Sequence, residues 1–424
     1  MGLIHFPESV HLLVYAGLLF LASQAGGKLA VRLNAPRMVG YLLTGILLGP
    51  SILGVFPKDV VVKDFEMITE ICLAIIAFSI GGTLRFEQLK RMKEVILWVT
   101  VLQAIAVSLV VFALMSVFLP VVVPDSDAPA GFLRGILPVA LAMGAISVAT
   151  APASVMSIVR EYRASGSFTT VLLGVIALDD VLTLVIFTFA ISLGQALLGS
   201  ATASLSTILL HPLQDVFIQF TLGALIGMAT GTMIRFFHSR GALLGITIGA
   251  IFLTSGLTLS LGLSPLLASM VLGFIVMNFG DREKREHVFQ VLEDIEMPIF
   301  GMFFALAGAH LQLGAVLRTG WLMVILTLGR FGGKMFGTSV GARITSAPAT
   351  VKRYLEMALL PANGVTIGLM LEVNNLYSHA HPRLCETMVS AVVGTVLINQ
   401  LLTPFFVRHA LFRSGDAVAA RQTE

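Results

Sequence analysis

Apolar residues run through this chain in long blocks separated by short polar punctuation, not in the two-residue alternation of half-buried strands. The blocks predict thirteen helical spans. The first six cover about 10–31, 37–54, 69–84, 95–119, 131–159 and 168–197. A seventh covers about 213–237, and the last six about 242–261, 264–279, 291–311, 320–342, 351–372 and 385–412. About twenty helical residues reach about 30 Å, the thickness of a bilayer's hydrocarbon core. Strands of a membrane barrel would alternate over about ten residues instead. The expected fold is an all-α polytopic membrane protein, one unit over residues 1–424.

Composition agrees. The chain is 56% hydrophobic and 12% charged, against about 25% charged in soluble domains. The net charge of +3 does not point to nucleic acid, because the cations serve topology. Twenty of the 27 lysines and arginines fall in alternate loops on one side and five on the other. Arg330 and Lys334 lie inside a span. Positive-inside sorting then puts the N-terminus outside and the C-terminus, with a short tail at 413–424, in the cytoplasm. Asp281–Glu286 (DREKRE) reads as a solvated cytoplasmic loop. Cys72 and Cys385 suggest no disulfide framework or metal motif. The first apolar stretch has no basic leader or small-residue cleavage site and reads as a retained span.

A weak repeat links the halves. Phe78–Gly82 (FSIGG) in the third span is similar to Phe304–Gly308 (FALAG) in the tenth. Aligning Gly45 with Gly273 puts Gly40 opposite Ala268. Both matches lie seven spans apart, and an odd offset reverses orientation. The expected arrangement is two inverted-topology repeats, 10–197 and 242–412, around a linker helix at 213–237. Chance packing of small residues would look alike.

Charge within the spans carries the chemistry. Asp179 and Asp180 sit mid-way along the otherwise uncharged run Val171–Ala190. One charge at that depth costs at least about 2.5–3.5 kcal/mol, so a purely structural helix gains little from two. Thr150, Ala151 and Pro152 interrupt the fifth span; Pro361, Asn363 and Gly364 interrupt the twelfth. Broken helices at corresponding positions of two halves mark a midplane binding site, where freed carbonyls can hold a cation. Two ordinary proline kinks are the alternative. Arg330 and Lys334 are four residues apart and share a helix face. Lys334 paired with Asp179 would offset burial, either as a static bridge or as a proton carrier. His310, at a span end, is a candidate pH sensor or merely interfacial. No nucleophile–base constellation suggests an enzyme, and no cofactor is expected.

The Asp179–Asp180 pair, the broken fifth span and the Lys334 helix together resemble the monovalent cation/proton antiporter superfamily, and within it the electrogenic Asp-Asp branch. Pro36-Arg-Met-Val-Gly40, continuing to Gly45, Gly49 and Pro50, resembles that branch's second-span signature. Arg160-Glu161 with Gly166, and Lys334 with Gly337, Gly341 and Ala342, fit as well. The resemblance implies thirteen helices in a homodimer, with a dimer domain and a moving core domain, in a prokaryotic inner membrane. It implies Asp180 as the main Na⁺ and proton carboxylate, Asp179 as partner of Lys334, and Thr150 as the nearby hydroxyl. Ala151 and Gly364 replace residues that relatives use there, and Arg330 has no assigned role. The expected activity is electrogenic exchange of Na⁺, or Li⁺ or K⁺, for H⁺. A K⁺/H⁺ efflux antiporter and a cation-coupled solute symporter remain alternatives.

Overall fold

The computed structural model describes residues 11–57, 60, 65–122, 135–197, 205–237, 239–263, 265–279, 282–309, 320–362, 366, 369–370, 373–374, 377 and 382–417. All regular structure there is helical apart from one isolated bridge. The helices are α1 (Leu12–Arg32), α2 (Arg37–Leu48), α3 (Glu66–Thr83), α4 (Phe86–Val122), α5 (Leu137–Ile146), α6 (Pro152–Glu161) and α7 (Ser167–Leu197). They continue as α8 (Leu205–Ile234), α9 (Arg240–Ser260), α10 (Pro265–Asn278), α11 (Arg282–Ala309), α12 (Gly320–Ile344), α13 (Ala349–Ala358) and α14 (Pro382–Ser414).

Local chemistry sets several ends. Pro36 precedes α2 and Gly49-Pro50 follows it. Ser239 caps α9 by accepting the Ala242 N–H at 3.3 Å. The charged stretch expected as a loop is helical instead: Arg282–Glu286 forms the first turn and more of α11. Glu, Lys and Arg are good helix formers, so polarity alone does not end a helix. For the same reason α4 starts at Phe86, well before its apolar run.

Six helices among the described residues are long and apolar enough to cross a membrane, α1, α7, α8, α9 and parts of α4 and α14 among them. On α1 only Tyr15, Leu19, Ser23, Gly27 and Ala30 are buried. Their spacing of about four residues defines one stripe, and Leu13, Leu21 and Leu29 face outward. Such an apolar outer face suits lipid.

The chain divides into two units. Unit 1 comprises Met1–Arg91, Pro152–Arg163 and Gln214–Leu311; unit 2 comprises Met92–Ala151, Ala164–Leu213 and Gln312–Glu424. In unit 1, α2 crosses α11 and α3 crosses α10 at glycine contacts of matching form. A Cβ on Gly45 would lie 1.9 Å from the Ala305 carbonyl oxygen, and one on Gly308 2.2 Å from that of Leu42. Likewise Gly273 would meet the Phe78 oxygen at 2.0 Å and Gly81 that of Met270 at 1.9 Å. These partners set Gly81, not Gly82, in the place that Gly308 holds, one residue from the sequence alignment.

Backbone cannot yield to an added side chain here. Gly45→Val and Gly273→Val are each expected to destabilise unit 1 by about 1–3 kcal/mol, read as lower melting temperature in detergent. Gly17→Val, with nothing within 4 Å of its added Cβ, is expected to be silent.

In unit 2, eight of the ten residues of α5 are buried. Around it gather Phe187 and Ile191 of α7, Leu322 and Leu326 of α12, and Cys385, Met388 and Val392 of α14. The C-terminal segment folds back on α7: Asp416 Oδ2 accepts the Thr169 N–H at 2.8 Å and its hydroxyl at 2.9 Å. A carboxylate from far along the chain therefore caps the helix that carries the aspartate pair. Asp416→Ala is expected to cost about 0.5–2 kcal/mol, as loss of a cap does, measured as a lower detergent melting temperature.

Candidate cation site

Both breaks lie in unit 2 and meet each other. α5 ends at Ile146 and α6 begins at Pro152, where the missing N–H costs nothing in a first turn. α13 ends at Ala358. Between these ends, Thr150 and Ala362 form an antiparallel bridge, and the Ala151 N–H donates to the Pro361 oxygen at 2.9 Å. Asn363, Gly364 and His310 lie outside the described residues.

A break exposes carbonyls that a helix would satisfy. Here Arg330 takes them. Its Nε donates to the Ser147 oxygen at 3.1 Å. Its Nη2 donates to the Ala149 oxygen at 2.5 Å and the Pro361 oxygen at 3.0 Å. Its Nη1 donates to the Leu360 oxygen and, at 3.3 Å, to Asn399 Oδ1. One guanidinium, 2% exposed, thus ties both breaks together. Its fixed fork of donors suits this task, as a lysine ammonium would not.

One turn further along α12, Lys334 is fully buried. Its Nζ lies 3.1 Å from Asp179 Oδ2 and 2.5 Å from Thr150 Oγ1. Thr150 in turn donates to Asp179 Oδ2, and Gln103 Nε2 donates to Asp179 Oδ1. Asp179, also fully buried, therefore holds three donors. Asp180 is 9% exposed; one residue on, it points about 100° around the helix.

Close packing delivers these groups. Gly333, Gly337 and Gly341 lay α12 against Val107, Gln103 and Val99 of α4, with added Cβ atoms falling 2.5–2.7 Å from those Cα atoms. The structure thus brings together Asp179, Lys334 and Thr150, and separately Ala151, Pro361 and Arg330. Thr150 is engaged by Asp179 and Lys334, and the break carbonyls by Arg330. Gln103 and Asn399 were missed in the sequence. A lone amide in an apolar span, such as Gln103 between Val101 and Val107, was the available signal.

A second charged cluster lies in unit 1. Arg160 lies in the last turn of α6, and its side chain is 19% exposed. It pairs with Glu296 at 2.9 Å and Glu293 at 2.5 Å, and donates to Ser79 Oγ at 2.9 Å. Ser79 also donates to the buried Glu296.

Removing one partner of a buried pair costs about 3–5 kcal/mol in soluble proteins. Lys334→Ala and Asp179→Asn are each expected to lower detergent melting temperature markedly. The double variant is expected to lose less than their sum, because the two share one interaction. Additive losses would show that they do not interact.

The family described as sodium/hydrogen exchanger, transmembrane, matches residues 18–413. The chain is 22% identical over 420 residues to the Na(+)/H(+)-K(+) antiporter GerN of Bacillus cereus, covering 95% of this chain and 97% of that protein. It is 24% identical over 344 residues to the high-affinity Na(+)/H(+) antiporter NhaS3 of Synechocystis, covering 72% and 70%. The solved structure of the sodium proton antiporter MjNhaP1 from Methanocaldococcus jannaschii is similar in fold, with a TM-score of 0.71 at 18% identity and 95% of each chain covered.

Proposed function

The chain belongs to the transmembrane sodium/hydrogen exchanger family, and on that ground we propose that it is an electrogenic Na⁺/H⁺ antiporter working by alternating access at Asp180. The observation that carries this reading is the division within the aspartate pair. Asp179 is committed to Lys334, Thr150 and Gln103, and Asp180, 9% exposed, leaves α7 about 100° further around the helix. Asp180 then exchanges its proton for a partly dehydrated cation. Loss of the proton creates the charge that the cation neutralises, so the site crosses the membrane loaded either way. Thr150, which donates to Asp179 and accepts from Lys334, keeps one lone pair for the cation.

The two matching glycine crossings in unit 1 support the inverted-repeat reading of 10–197 and 242–412, with 213–237 as linker. Unit 1 draws on spans one to three and seven to ten with the end of span five, and unit 2 on span four, the start of span five, span six and spans eleven to thirteen. That partition fits a dimer domain and a core domain. We extend the reading to thirteen spans, a homodimer and an N-terminus outside, the last from charge placement.

If Asp180 and either Asp179 or Lys334 both give up protons for one Na⁺, one charge moves per cycle. The membrane potential then contributes about 2.3 kcal/mol per 100 mV. In proteoliposomes, an imposed potential is expected to change the Na⁺ gradient at which net flux stops. A stopping point independent of voltage would make the exchange electroneutral and Lys334 a structural partner. K⁺ as the cargo is the second reading, favoured by the name of the GerN relative. Repeating the measurement with Na⁺, Li⁺ and K⁺ separates the two.

A further inference from the structure

Two buried oxygen atoms, one on α4 and one on α12, are left idle by the arrangement described above. Gln103 is fully buried and gives its amide nitrogen to Asp179. Its Oε1 has no hydrogen-bond partner among the described residues. Thr338, 1% exposed, leaves its Oγ1 in the same condition. Thr338 follows Lys334 by four residues and so leaves α12 on the same face. Its neighbour Gly337 lies against Gln103, where an added Cβ would fall 2.5 Å from the Gln103 Cα.

Idle oxygens in a buried interior are unusual. Other buried threonines of this chain avoid the problem by donating to the carbonyl four residues back: Thr183 to Asp179 at 2.7 Å, Thr254 to Ala250 at 2.8 Å and, on α12 itself, Thr327 to Met323 at 2.8 Å. Thr338 does not. A partly dehydrated alkali cation, meanwhile, needs several oxygen ligands. Arg330 occupies the break carbonyls of Ser147, Ala149, Leu360 and Pro361. Thr150 is held by Asp179 and Lys334. Oxygens that accept no hydrogen bond are the readiest further source of neutral ligands.

We propose that Gln103 Oε1 and Thr338 Oγ1 are ligands of the transported monovalent cation and set which alkali cation is preferred. This rests on the antiport reading above and adds to its ligand set. The Gln103 amide serves both states. Its N–H end holds Asp179 in the unloaded site, and its carbonyl end takes the cation in the loaded one. Thr338 adds a second neutral oxygen one turn from the ammonium of Lys334.

The test uses the full chain in proteoliposomes and in detergent. It reads the half-saturating concentrations of Na⁺, Li⁺ and K⁺, the maximal exchange rate, and the melting-temperature rise produced by each cation. Gln103→Leu and Thr338→Val are expected to raise half-saturating Na⁺ by about threefold to tenfold, the worth of one net polar contact. Both should shift the ratios among the three cations and shrink the cation-induced rise in melting temperature. Thr338→Ser should restore the wild-type values. Unchanged half-saturation and unchanged ratios, with only slower turnover or lower stability, would overturn the proposal and make both residues structural. Na⁺ binding without Na⁺-driven exchange in the wild type would sink the antiport reading alone. Absence of binding by all three cations would overturn both.

Discussion

Asp180→Asn is expected to reduce cation-driven proton exchange to background while the protein still inserts, folds and keeps its oligomeric state. Asparagine matches aspartate in size but can neither cycle a proton nor supply a full charge. Stability should hold or rise, because a carboxylate near the midplane costs about 2.5–3.5 kcal/mol on insertion scales. Asp179, with its own three donors, is untouched by the change. The assay is dissipation of a preformed proton gradient on addition of Na⁺, alongside detergent melting. Near-normal exchange by a well-folded Asp180→Asn would remove Asp180 from the mechanism.

Arg330→Leu is expected to be the most destabilising single change in unit 2. It strips donors from four carbonyls and from Asn399 at once. One buried acceptor left bare costs about 1–3 kcal/mol, so a loss of about 3–5 kcal/mol or more is expected, at the scale of breaking a buried ionic network. Arg330→Lys should recover only part, since an ammonium cannot span carbonyls on two chain segments. Exchange should fall with stability, because Thr150 lies in the same break. Melting temperatures close to wild type for Arg330→Leu would mean that the crossing holds without its guanidinium.

Spans, breaks and the buried charges were legible in the sequence because each is a local signal. Proline at 152 and 361 interrupts an apolar run, and a charge inside such a run is conspicuous wherever it occurs. What could not be read depends on two distant segments meeting. Arg330 has no local partner; its partners exist only once the break at 147–151 crosses that at 359–362. Gln103 carries no charge, and its role follows from Gly337 bringing α12 onto α4. The Asp179–Asp180 pair was visible as a pair, but the donors to Asp179 come from three distant segments, at Gln103, Thr150 and Lys334. Polarity misled at both charged stretches: Arg282–Glu286 and the start of α4 are helix, because good helix formers continue a helix into polar surroundings. The Phe-x-x-x-Gly match was one residue out of register because it aligned side chains, whereas the crossings are set by which glycine faces a carbonyl.

The central claim is that a proton and a monovalent cation compete for one carboxylate. Proton release on cation binding tests it most directly. Purified protein in weakly buffered detergent solution is titrated with NaCl, with choline chloride as control, while the solution pH is followed. The account predicts that Na⁺, or K⁺ on the second reading, releases protons from the wild type, and that Asp180→Asn releases none. Saturable cation binding with no proton released, or equal release by Asp180→Asn, would contradict it.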